Sequence, residues 1–232
     1  MREDTPTPDA SERHLALRAS LARQGHAPPL AAKTALAAFD ARAPSDEAPS
    51  ACLTEYTLRV DAPAHDDPAR NERTLRAMSE PLFSEGILGI LQDDPRSLET
   101  WMGALLGLSG RASLRTRESY ARGGTHTYST LEGALAERWT AGFSAEVFAL
   151  HPVIRGARWY FDAIFLHPFD DGNARLARAL LVFSIEGRVD LAPLVWLPKR
   201  PGSAEDFWRF VTVCALQSVA RDRRRYHERT LR

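Results

Sequence analysis

The chain has 232 residues, 44% hydrophobic and 26% charged, and its 30 basic and 30 acidic side chains cancel to a formal net charge of zero. This is ordinary globular composition at the length of one domain with an appendage. The balanced charge gives no general attraction to nucleic acid or to an anionic membrane surface, and no run approaches the roughly 20 apolar residues of a membrane span.

Met1-Arg-Glu-Asp-Thr-Pro lacks the apolar stretch of a signal peptide, so a cytoplasmic protein is expected, although delivery by a specialised secretion system would leave no mark here. Residues 1–50 are rich in Ala and Pro and poor in large apolar groups. They read as a partly mobile N-terminal arm ahead of a main domain over 51–232. Within the arm, Asp9-Ala-Ser-Glu12 resembles a capping box and Gly25 is placed to stop its helix. A weak Ala-rich helix is expected near 30–42, and Pro44 to Pro49 reads as a linker. Cys52 and Cys214 lie far apart without C-x-x-C spacing, so two buried thiols are expected rather than a disulfide or a zinc cluster.

Helices are expected near 68–79 and 97–108, the second carrying Leu98, Trp101, Met102, Leu105 and Leu106 at helical spacing. From Ser113 to Ser129 the chain turns polar and is split by Gly123-Gly124, which allows positive φ at both turn positions and predicts a β-hairpin. Ser129-Thr-Leu-Glu132 has the form of a capping box, with Leu131, Leu135 and Trp139 following on one helix face. A longer helix is expected from Pro152 to His167, apolar on so many sides that it belongs at the centre of its domain. A second follows the loop 168–173 and ends near Gly187, and a last one begins after Ser203-Ala-Glu-Asp206. The fold class is mainly α with one small hairpin.

The chemistry concentrates in His167-Pro-Phe-Asp-Asp-Gly-Asn-Ala-Arg-Leu-Ala-Arg178. His167 ends one helix, and imidazole ordinarily titrates near neutrality, as a general base requires. Asp171 offers the hard carboxylate that Mg²⁺ prefers. Gly172 and Asn173 precede the next helix, Asn173 as the expected N-cap, where outward amides and the helix dipole favour an anion. Arg175 and Arg178, three apart, share one helix face near the same anion. Phe169 is expected to point into the core and fix the loop, and Asp170 to be solvated. A base, a metal ligand, an anion cradle and two cations within twelve residues suit phosphoryl or nucleotidyl transfer, where positioning and charge neutralisation supply most of the catalysis.

This segment resembles the signature of the Fic domain family, H-P-F-x-[D/E]-G-N-G-R-x-x-R, departing from it only at Ala174, where the family has its second Gly. The resemblance covers about residues 90–215, the core of the domain, and implies a small helical bundle with the motif between two central helices and a β-hairpin flap upstream, matched by 113–128. It implies a protein adenylyltransferase that moves AMP from ATP onto a Ser, Thr or Tyr hydroxyl and releases pyrophosphate. His167 would take the hydroxyl proton, Asp171 would hold Mg²⁺, Gly172, Asn173 and Ala174 would cradle the α-phosphate, and Arg175 and Arg178 would bind the outer phosphates. The target segment would dock on the flap by strand addition.

Two other outcomes stand beside this one: a Doc-like kinase that uses the γ-phosphate, a branch that carries Lys at the position of Ala174, and a Fic-fold nucleotide-binding module whose catalysis has lapsed. Many Fic proteins inhibit themselves through [S/T]-x-x-x-E-[G/N]. The Glu-Gly pairs at 85–86, 132–133 and 186–187 are preceded at that spacing by Pro81, Tyr128 and Val182. None is Ser or Thr, so a separate small antitoxin is the expected source of an inhibitory Glu.

Overall fold

The computed structural model describes residues 10–23, 27–42, 49–58, 67–78, 87–121, 126–186 and 203–230. In chain order these form α1 (Ala10–Arg23), α2 (Leu30–Asp40), α3 (Pro49–Tyr56), α4 (Pro68–Met78), α5 (Ile87–Asp93), α6 (Ser97–Leu106), β1 (Ser119–Ala121), β2 (His126–Tyr128), α7 (Ala134–Ala141), α8 (Ala145–Phe148), α9 (Pro152–Leu166), α10 (Asn173–Ser184) and α11 (Ala204–Thr230). The protein is mainly α. Its two strands pair antiparallel with Ser119 opposite Tyr128 and Ala121 opposite His126. The Gly123-Gly124 turn, the Pro44–Pro49 linker up to residue 48, and the stops at Gly25 and Gly187 lie outside the described residues.

α9 is the central helix, as its apolar sequence predicts. Pro152 opens it, His151 accepts from Val153 N at its N-cap, and eleven of its residues, from Val153 to Leu166, are buried. Its broadest partner is α10. The two come close at Gly156, where a Cβ would stand 3.0 Å from both Leu181 Cδ1 and Ser184 Cβ. On another side, α11 brings Phe210 to within 4.6 Å of the Phe161 ring and 5.1 Å of the Tyr160 ring. Trp159 is pinned by donating from Nε1 to Gly142 O at 2.6 Å.

The N-terminal helices add to the same core. α1 packs against α9 and α11, α2 packs against α11, and Leu17, Leu36 and Phe39 are buried. α4 packs against α6, with Trp101 Nε1 donating to Ala77 O at 3.0 Å. Cys52 and Cys214 are both buried thiols outside any disulfide, and burial pushes the Cys214 thiol far up. Among the described residues no helix is long and apolar enough to cross a membrane.

Three helix starts differ from the sequence expectation, the smallest difference being α11, which opens at Ala204 rather than after Asp206. Ser129-Thr-Leu-Glu132 does not cap a helix: α7 opens at Gly133, φ 50°, with no side-chain cap. Ser129 instead offers its carbonyl to a buried arginine, and Leu131 is buried in an irregular bend. At α10 the N-cap is Gly172 rather than Asn173. The Asn173 amide is occupied by the preceding loop and is therefore unavailable for capping.

Candidate active site

His167 terminates α9 in left-handed backbone, φ 49° and ψ 58°, unusual for a residue with a Cβ. Such a conformation costs roughly 1–2 kcal/mol and persists only when its surroundings enforce it. Arg115, only 2% exposed, is the main enforcer. Its guanidinium donates to the carbonyls of His167 (3.0 Å), Leu166 (3.3 Å), Tyr128 (3.3 Å), Ser129 (2.7 Å) and Arg117. Its backbone N–H donates to Pro168 O at 2.8 Å. One side chain thus ties the end of α9 to both flanks of the hairpin. The Tyr128 ring then stacks on the imidazole, centroids 4.2 Å apart and planes at 22°.

The loop closes on itself through Asn173, which is 2% exposed. Its Oδ1 accepts from Phe169 N at 2.9 Å and its Nδ2 donates to Phe169 O at 2.7 Å, which fixes the amide orientation. The second Nδ2 hydrogen points to His167 Nδ1 at 3.1 Å, so Nδ1 is an acceptor and the neutral ring carries its proton on Nε2. Phe169 is buried as expected. Gly172 has φ 79°, and a Cβ there would stand 2.9 Å from Met102 Cε and 3.3 Å from Leu105 Cδ2. Gly172→Ala is therefore expected to lower stability by about 1–2 kcal/mol from backbone strain alone, read from urea unfolding.

Burial, reinforced by the Arg115 charge and only partly opposed by Asp171 and Asp170, pulls the His167 pKa from 6.5 down to about 4. The ring is neutral at cellular pH, the state from which a base must start, but a pKa this far below neutrality departs from the sequence expectation and makes it a weaker base than free imidazole. Above pH 6.5 the ring is neutral folded or unfolded. As pH falls from 6.5 towards 4 the unfolded chain takes up a proton that the folded one refuses, and stability is lost. Between pH 7 and pH 5 the wild type is expected to lose about 1–2 kcal/mol more than His167→Gln, measured by urea unfolding at both pH values.

Asp171 sits at the open rim, its side chain 76% exposed, with Oδ2 3.3 Å from Arg175 Nη2. Its Oδ1 accepts from Gly172 N at 2.6 Å. Asp170 forms an exposed ion pair with Arg117 at 3.2 Å. In α10 the first intrahelical bond runs from Leu176 N to Gly172 O, so the amides of Asn173 and Ala174 have no partner within the helix. Ala174 is exposed and is not among the residues with positive φ. The Cβ at this position thus meets no backbone strain. Arg175 is buried, its Nη1 donating to Thr74 Oγ1 at 3.0 Å. Arg178, one turn on, lies over the Tyr56 ring of α3 with its guanidinium carbon 4.8 Å from the centroid.

Among solved structures the chain is similar to a Fic family protein from Desulfovibrio desulfuricans G20. The identity is 15% and the TM-score 0.40, over 94% of this chain and 76% of that one. No family model and no curated protein matches.

The structure brings His167, Asp171, Gly172, Asn173 and Arg175 together around one loop, with Ala174 at the rim and Arg178 a turn further along. Among the described residues no group of three or more His, Cys, Asp or Glu side chains is placed to cage a metal ion. A single exposed carboxylate beside a helix N-terminus nevertheless fits Mg²⁺, which commonly takes one or two carboxylates and completes its shell with water and substrate phosphates.

Several residues that shape the site carried no readable signal. Arg115 is one of several arginines in a polar run, and nothing in that run marks it as buried. Thr74 and Tyr56 come from helices distant in sequence. Tyr128 falls at the end of the expected hairpin, but nothing in the sequence marks its stacking on His167.

Proposed function

We propose that this protein is a Fic-type adenylyltransferase that moves AMP from ATP to a Ser, Thr or Tyr hydroxyl of a target protein. The observation that carries this reading is the convergence on one loop of a neutral, locked imidazole, an exposed carboxylate and a helix N-terminus. An anion at the Asn173 and Ala174 amides lies at the positive end of α10. Bound at Asp171, Mg²⁺ would offset phosphate charge. Arg175, held by Thr74 and Asp171, and Arg178 on the same helix supply positive charge for the outer phosphates.

In the transfer the target hydroxyl oxygen bonds to the α-phosphorus, the bond from that phosphorus to pyrophosphate breaks, and His167 takes the hydroxyl proton. Because Asn173 occupies Nδ1, the resting ring holds its proton on Nε2. Accepting at Nε2 therefore requires the ring to exchange tautomers and give up the 3.1 Å Asn173 contact. The hairpin positions the target: β2 ends on Tyr128, whose ring stacks on His167, so a segment laid along the hairpin brings its hydroxyl to the imidazole. An inhibitory Glu from a small antitoxin fits the absence of the self-inhibitory spacing in the sequence.

The backbone at Ala174 supports AMP transfer over lapsed function, since the methyl introduces no strain where the family carries Gly. Ala174→Gly is expected to cost up to about 1 kcal/mol in helix propensity while leaving transfer intact. A large gain in transfer rate would show instead that the methyl obstructs the phosphate. Calorimetric titration with ATP and Mg²⁺ tests the nucleotide site: Arg178→Ala is expected to weaken binding about tenfold or more. Unchanged affinity in that variant would remove Arg178 from the site.

A further inference from the structure

Away from the loop, α1, α8, α9 and α11 line a partly open cavity of about 310 Å³. Much of its wall is apolar, supplied by Leu17, Ile154, Phe161 and Phe207 among others. Its polar groups are unusual. His14 and Asp162, with side chains only 2% and 4% exposed, meet at 2.7 Å between Nε2 and Oδ1. Arg158 Nε approaches Asp162 Oδ2 only to 3.8 Å, too far for a hydrogen bond. Four buried polar atoms, His14 Nδ1, Asp162 Oδ2, Arg158 Nε and Trp208 Nε1, have no hydrogen-bond partner among the described residues, and all four residues line this one cavity.

Leaving such atoms unpaired is costly, about 1–3 kcal/mol each, and a buried indole N–H normally finds an acceptor. Four in one place therefore point to an occupant. Its chemistry follows from the groups. Arg158 Nε and Trp208 Nε1 are donors that need an acceptor. Asp162 Oδ2 needs a donor. Taking His14 as a ring that donates from Nε2 to the carboxylate and carries no second proton, Nδ1 is a second acceptor. Apart from His14, the charged lining residues are two of each sign, Arg18 and Arg158 against Glu146 and Asp162. The volume lies at the lower end for small-molecule pockets and suits one or two rings.

We propose that this cavity is a binding site for a small uncharged molecule with an apolar ring and an adjacent donor and acceptor, as in a primary aromatic amide. The amide oxygen accepts from Trp208 and Arg158, its NH₂ group donates to Asp162 and His14, and the ring lies against Ile154 and Phe161. The site is separate from the loop 167–178 and does not depend on the nucleotide chemistry proposed there.

The test titrates ¹⁵N-labelled protein with benzamide and compares toluene, benzoate and benzamidine. The Trp208 indole N–H resonance is identified by its loss in Trp208→Phe. Benzamide is expected to shift that resonance saturably with one-to-one stoichiometry, and to bind more tightly than the other three. Trp208→Phe should weaken benzamide binding about three- to tenfold, followed on neighbouring resonances. Ile154→Trp, which fills the cavity with an indole, should abolish binding while the spectrum stays folded. No saturable benzamide shift would make the cavity a hydrated void and overturn the proposal. So would equal binding of toluene, or binding indifferent to both substitutions.

Discussion

Arg115→Ala is expected to lower stability by about 3–5 kcal/mol, the scale of breaking a buried charged network. The guanidinium serves five carbonyls drawn from the end of α9 and the two flanks of the hairpin. Removing it strands several of them in a place that water reaches poorly, and each stranded acceptor costs about 1–3 kcal/mol before relaxation. The left-handed backbone at His167 also loses its main restraint. Arg115→Lys should recover less than half of the loss, because an ammonium is a point charge with three donors and cannot reproduce a planar five-donor fork. Urea unfolding of the three proteins checks this. A loss below about 1 kcal/mol in Arg115→Ala would mean the network is incidental. In Arg115→Lys, which keeps the charge, the His167 pKa should remain depressed.

His167→Ala is expected to reduce label transfer from ATP to protein by a factor of about 10²–10⁴, the usual contribution of a positioned base. The fold should survive, since the end of α9 is held through backbone carbonyls that the substitution keeps. His167→Asn separates chemistry from backbone. Asn tolerates left-handed φ better than most residues and retains a polar group beside Asn173, yet it cannot accept a proton at neutral pH. Both variants should be inactive, with His167→Asn the more stable of the two. Transfer at near wild-type rate in either would remove His167 from the base role.

The helices were legible where periodicity was strong. Between Val153 and Leu166 apolar residues fall on most sides of the helix, with Arg155, Arg158 and Asp162 the charged exceptions, and that pattern alone puts α9 at the centre. The loop 167–178 was legible as a set because its residue types repeat a recognisable chemistry at short range. Local sequence could not show what reaches that loop from elsewhere. Arg115 looks like any charged residue in a polar run, and only the fold makes it a buried tie. The Ser129–Glu132 capping box failed for a related reason: tertiary hydrogen bonding claimed Ser129 O, and Gly133 restarted the chain in a new direction. Asn173 begins the helix but does not cap it, because its side chain goes to Phe169 and His167. The depressed pKa of His167 depends on burial and on Arg115, neither of which its neighbours in sequence reveal. The cavity beside α9 was not foreseen either, because its lining comes from four segments spread over the chain.

The most direct measurement incubates the purified protein with Mg²⁺, cell lysate and ATP labelled at either the α- or the γ-phosphate. Label on protein from the α-position alone, lost in His167→Ala, is the predicted result. Label from the γ-position alone would make the protein a kinase, and ATP binding without any label would make it a nucleotide-binding module. Either result would contradict the assignment of AMP transfer.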